Sequence, residues 1–158
     1  MELEIMDRMD YMILRELQLD GRLSNQELAE RVRLTPSPCL RRVRMLEERG
    51  VIRGYTAIVD PKTLGYPITV FVRITLAKHD TATVAEFEHR VRDIDEIMDC
   101  FLMTGQRDYL MRVIATSLEG YERFIRDVIH QIPGIGSIDT SFAYGTVKHA
   151  MTLPERQG

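Results

Sequence analysis

The sequence predicts an α+β chain, a winged helix-turn-helix at the N-terminus followed by a ferredoxin-like βαββαβ domain. Three observations predict it. The first third repeats apolar residues at helical spacing in short, separately capped segments. Beyond "DPKTLGYP" the apolar pattern turns to strict alternation. From there strand-like and helix-like stretches follow in the order strand, helix, strand, strand, helix, strand. The expected organisation is a winged helix-turn-helix over residues 1–59, a linker over 60–67, the βαββαβ domain over 68–150 and a tail over 151–158.

Asp7 is placed to cap a first helix, with Met6, Met9, Ile13 and Leu17 at helical spacing and Asp20-Gly21 as its stop. "SNQE" is a capping box, Ser24 capping and Glu27 reaching back, and opens a helix of about nine residues that buries Leu28, Ala29 and Val32. Thr35 caps the next helix. Pro36 and Pro38 fall in its first turn, where the missing N–H groups have no intrahelical partner. Leu40, Val43 and Leu46 are expected inward with Met45 beside them, and Gly50 ends the helix. "VIRGYTAIVD", with Gly54 at its centre, reads as a small hairpin or wing.

In the second domain "ITVFVRITL" is a strand with Ile68, Val70, Val72, Ile74 and Leu76 on one face. A helix from Thr83 to about Asp93 carries Val84, Phe87 and Val91. "IMDCFLM" and "YLMRVIA" are strands joined by "TGQRD". A helix from Ser117 carries Tyr121, Phe124, Ile125, Val128, Ile129 and Ile132. "PGIG" breaks it, and "SIDTSFAY" is the last strand. Both helices of such a domain cover one face of the sheet. Phe71 and Phe101 point to the other, so apolar residues on both faces suggest a partner chain.

Composition narrows the function. With 158 residues, 44% hydrophobic and 28% charged, the chain suits one domain or two small ones. The acidic start lacks a signal-peptide layout, and no apolar run is long enough to cross a membrane. Cys39 and Cys100 form no disulfide framework or metal knuckle, so a reducing cytoplasm is expected. Cys39 reads as a small packing residue, with a redox role as the alternative. His79, His89, His130 and His149 show no metal-ligand spacing, and phosphate-loop, GxGxxG and GxSxG patterns are lacking. The chain is not expected to be an enzyme or to carry a cofactor.

Net charge is −3, yet residues 31–54 hold seven arginines against Glu47 and Glu48. Positive charge concentrated on the second helix of a helix-turn-helix suits the DNA major groove. Thr35 and Ser37 at its N-terminus offer donors to a phosphate, and arginine serves phosphates and guanine alike. The alternative is a solvated face whose arginines pair with Glu47 and Glu48.

The stretch "DGRLSNQELAERVRLTPSPCLRRVRMLEERGVIRGYTAIVDPKTLG", with "GQRDYLMRV" and "PGIGSIDTSFA" further on, resembles the Lrp/AsnC (feast/famine) transcription regulators over nearly the whole chain. The resemblance implies an N-terminal domain that binds double-stranded DNA. It also implies a C-terminal domain that oligomerises, as dimers assembling commonly to octamers, and senses an amino acid. By match to the recognition helix it implies DNA contacts from Ser37, Pro38, Arg41, Arg42 and Arg44, with Arg33 and Arg53 on flanking phosphates. Ser24, Asn25 and Thr35 complete that set.

Read from its residues, "TGQRDY" is either an ordinary turn or a ligand loop. In the second case N–H groups around Gly105 would hold a carboxylate and Asp108 an ammonium. The resemblance implies the second, with Thr104, Gly105, Gln106 and Asp108 lining an effector site at an interface, joined by Leu102 and Ser141. Gln106 and Arg107 depart from the acidic or aromatic residues common there. The expected function is a sequence-specific regulator of amino-acid metabolism. The alternative is a regulatory module acting on protein partners.

Overall fold

The computed structural model describes residues 6–154; the first residues of the acidic start and residues 155–158 of the expected tail lie outside it. The chain divides into two compact units. One runs through Ile58 and also takes in the segment from Lys148 onward; the other is Val59–Val147.

The N-terminal unit holds α1 (Arg8–Leu19), α2 (Asn25–Arg31) and α3 (Pro36–Glu48). Asp7 caps α1 in a reciprocal box with Asp10, and Ser24 caps α2 with Glu27. Gly50, at φ +69°, ends α3 in a Schellman turn: its N–H reaches Glu47 O, and the Val51 N–H reaches Leu46 O. The same turn ends α2, but there the left-handed residue is Arg33, at φ +58°. A side chain in that region costs about 1 kcal/mol over glycine.

The core comprises Ile13, Leu28, Ala29, Val32, Cys39 and Leu46. Cys39, not Leu40, fills the inward position of α3. Leu40 is 37% exposed and Met45 44% exposed, whereas Cys39 is fully buried. The spacing Cys39, Val43, Leu46 marks one helical face, and Leu40 falls off it. Cys39 is thus a packing residue, and burial pushes its thiol pKa up. Residues 51–60 contain no strand; the run is a largely exposed coil in which the Tyr55 hydroxyl donates to Glu47 at 2.9 Å. A β-type sequence becomes a strand only when a neighbour completes its ladder, and this run has none among the described residues.

The second unit runs β1 (Ile68–Leu76), α4 (Thr81–Arg92), β2 (Ile97–Leu102), β3 (Tyr109–Ala115), α5 (Leu118–Asp127) and β4 (Ile135–Phe142). Asp80 starts α4 two residues ahead of the predicted point by taking the Thr83 N–H. β4 likewise starts earlier, at Ile135, and a 3-10 turn over Ile129–Gln131 follows α5. The four strands form one antiparallel sheet in the order β2-β3-β1-β4. Val70, Val72 and Ile74 lie opposite Val113, Met111 and Tyr109 and are buried with Phe87, Val91, Tyr121 and Phe124 of the helices. Phe71, Leu110, Ile114 and Phe101 take the other face, with Phe101 55% exposed.

Candidate nucleic-acid interface and effector loop

α3 has two polar sides with different fates. Towards α1, Arg42 bridges two carboxylates, at 2.8 Å from Asp7 and 2.7 Å from Asp10. Asp7 is held below the ordinary carboxylate range, first by the Asp10 N–H it caps and then, against partial desolvation, by Arg42. Arg42, expected on DNA, therefore fastens α3 to the start of α1. Arg31 is likewise engaged, with Glu16 at 3.1 Å.

The outer side is different. Arg33, Arg41, Arg44 and Arg53 are exposed and meet no carboxylate within 4.0 Å among the described residues. Glu47 is taken by Tyr55, and Glu48 lies beside Arg41 and Arg44 without closing an ion pair. Among the described residues, Glu47 and Glu48 do not neutralise Arg33, Arg41, Arg44 or Arg53.

The start of α3 is sparse in donors. Pro36 and Pro38 have no N–H, and the Cys39 N–H returns to Thr35 O at 3.3 Å. The Ser37 N–H and hydroxyl and the Thr35 hydroxyl, which makes no capping bond, are what remains for a phosphate. Asn25 and Ser24 do structural work. The Asn25 side chain donates to Pro36 O at 2.8 Å, fixing the start of α3 against α2. The Ser24 hydroxyl donates to Glu27 at 2.7 Å.

In the second unit Thr104, Gly105 and Gln106 are exposed on the turn between β2 and β3, and Gly105, at φ +113°, has open space where a side chain would stand. Asp108 is already occupied. One carboxylate oxygen accepts the Leu76 N–H at 2.7 Å and the other meets His79 Nε2 at 2.9 Å. These bonds, the Leu76 N–H first, hold Asp108 below its ordinary pKa. Arg107 folds back over β1 and β4, donating to Ser137 at 3.0 Å and Thr75 at 3.4 Å. Leu102 is 72% exposed. Ser141 stands apart, opposite Phe71 and accepting from Arg73 at 3.1 Å. Five residues of strand, about 16 Å, separate that point from the Leu76 end of β1. Within one chain Leu102, Thr104, Gly105, Gln106 and Asp108 share the β2–β3 connection, and Ser141 does not join them. His79 was missed because it lies 29 residues from Asp108, a pairing with no local signal.

Comparison with known proteins bears on both regions. The winged helix-turn-helix DNA-binding family profile matches residues 6–53, and the Lrp/AsnC ligand binding domain profile matches 69–153. The Bkd operon transcriptional regulator of Pseudomonas aeruginosa is 43% identical over 142 residues, covering 90% of this chain and 93% of that protein. The leucine-responsive regulatory protein of Escherichia coli K12 is 39% identical over 148 residues, covering 94% and 90%. Among solved structures, a Neisseria meningitidis transcriptional regulator in complex with L-Met superposes with a TM-score of 0.91 at 36% identity, covering 95% of this chain and 97% of that one. An Agrobacterium tumefaciens AsnC family regulator gives 0.90 at 37% identity, covering 94% and 97%.

Proposed function

Since the chain belongs to the Lrp/AsnC family of DNA-binding transcription regulators, we propose that it reads duplex DNA with the outer face of α3, as a dimer controlled by an amino acid. The observation that carries this is the pair Arg41 and Arg44, exposed on one helical face beside Ser37 and held by no carboxylate among the described residues. Arg33 and Arg53 are the phosphate contacts at its flanks. Two copies of α3 match two half-sites about one helical turn apart.

The apolar open face of the sheet is where a second chain packs, and such dimers assemble further. The exposed loop Thr104-Gly105-Gln106 takes an amino-acid effector where two chains complete the site, because Ser141 lies far along β4 from Leu102 and the loop within one chain. Relatives named for leucine or solved with L-Met support that ligand class. Regulation of amino-acid metabolism in the cytoplasm is the setting these features suit.

The test is selection of genomic fragments by the purified protein, with and without a mixture of the twenty amino acids. The expected result is a few enriched sites, altered by the mixture, with affinity falling steeply as salt rises. Enrichment blind to the mixture removes the effector from the proposal. No enrichment at low salt removes α3 as a reader and leaves a module that acts on protein partners.

A further inference from the structure

The outer face of α3 carries a side chain that charge does not explain. Leu40 lies one turn after Ser37 and one turn before Arg44, and 37% of it is exposed. Ser37, Leu40, Arg41, Arg44, Met45 and Glu48 line one shallow concavity. A lone leucine on a protein surface is ordinary. This one stands among a hydroxyl and two guanidinium groups that no carboxylate engages, at the N-terminal half of the helix.

In a major groove that half of the helix meets base edges. The apolar group displayed there is the thymine 5-methyl; the other edges present donors and acceptors. Between Ser37 and Arg44 along the helix and next to Arg41, Leu40 is enclosed once the helix docks. Facing an adenine or cytosine amino group, or a guanine oxygen, it would strip that group of water and return no hydrogen bond. Facing a methyl, it buries apolar surface on both partners.

Resting on the assignment of α3 as the reading helix, we propose that Leu40 is a specificity-determining residue that packs on the 5-methyl of one thymine in each half-site. It selects by hydrophobic contact, while the arginines beside it supply charge.

The experiment uses the full chain and the duplex it selects from a random pool. Each thymine of a half-site is replaced in turn by deoxyuridine, which keeps base pairing and removes only the methyl. At one position per half-site wild type should bind about fourfold more weakly for each methyl lost. Leu40→Ala should bind the thymine and deoxyuridine duplexes equally at that position. The change is at an exposed site and towards a better helix former, so the variant folds. A selected site without a fixed thymine, no sensitive position, or discrimination that survives in Leu40→Ala overturns the proposal. Arg41→Ala and Arg44→Ala separate the two levels. If both bind like wild type, the reading helix was misassigned. If both weaken while Leu40→Ala still discriminates, the arginine face stands and only the leucine contact fails.

Discussion

Arg41 and Arg42 are adjacent in sequence and have different tasks. A step of about 100° around the helix turns Arg42 towards Asp7 and Asp10 and leaves Arg41 outside. Removing one partner of an ion pair to a largely buried carboxylate such as Asp10 costs more than breaking an exposed pair. Arg42→Ala should therefore cost the N-terminal unit about 1–2 kcal/mol. Hydrogen exchange in peptides of α1 and α3 would read this as faster opening, and Arg41→Ala should leave exchange unchanged. On DNA the roles reverse: Arg41→Ala lowers the salt slope by about one, and Arg42→Ala leaves the slope alone. Removing both arginines at once would confuse loss of the reader with loss of its mounting. Equal exchange in the two single variants would place Arg42 back on DNA.

At the scale of elements, what was legible in the sequence was local. Caps at Asp7, Ser24 and Gly50, the alternation of β1 and the limits of β3 all follow from residues within a turn or two of each other. What was not legible depended on distant partners. The run 51–60 looks like a strand but lacks a ladder, Arg42 finds α1 across 32 residues, and Asp108 is claimed by Leu76 and His79 before any ligand arrives. Leu40 lies off the phase set by Cys39 and Leu46, and hydrophobicity alone does not turn a side chain inward. The Asp108 brace ties the β2–β3 turn to the end of β1 and gives that turn an acid limit. A carboxylate whose folded pKa is lowered contributes stability that is full above its ordinary value and is lost as pH falls through the lowered one. Exchange protection at Leu76 and in the turn should therefore decline below about pH 4. Asp108→Asn should abolish that decline, with protection already reduced at neutral pH. An identical acid profile in the variant would assign the loss to another carboxylate.

For the whole molecule, the proposed dimer rests on the open sheet face. Phe71, Leu110, Ile114 and Phe101 place apolar surface beside the Arg112–Asp99 pair, the mixture of hydrophobic centre and polar surround that a protein interface uses. Phe101→Asp should convert dimers to monomers in sedimentation while the circular dichroism of the fold persists. DNA affinity should drop with it, because two linked reading helices bind far more tightly than one. Dimers that survive would shift the interface off this face. The path of the chain has a practical consequence as well. From Lys148 onward it returns to the unit in which α1 lies, where the Leu153 N–H donates to the Gln18 side chain at 2.8 Å. The polypeptide thus passes between the two units twice, once near residue 58 and again near 147. A protease that nicks only the crossing near residue 58 leaves the second unit joined to the returning tail, and a fragment cut off at Ile58 discards a piece of the very unit it was meant to isolate.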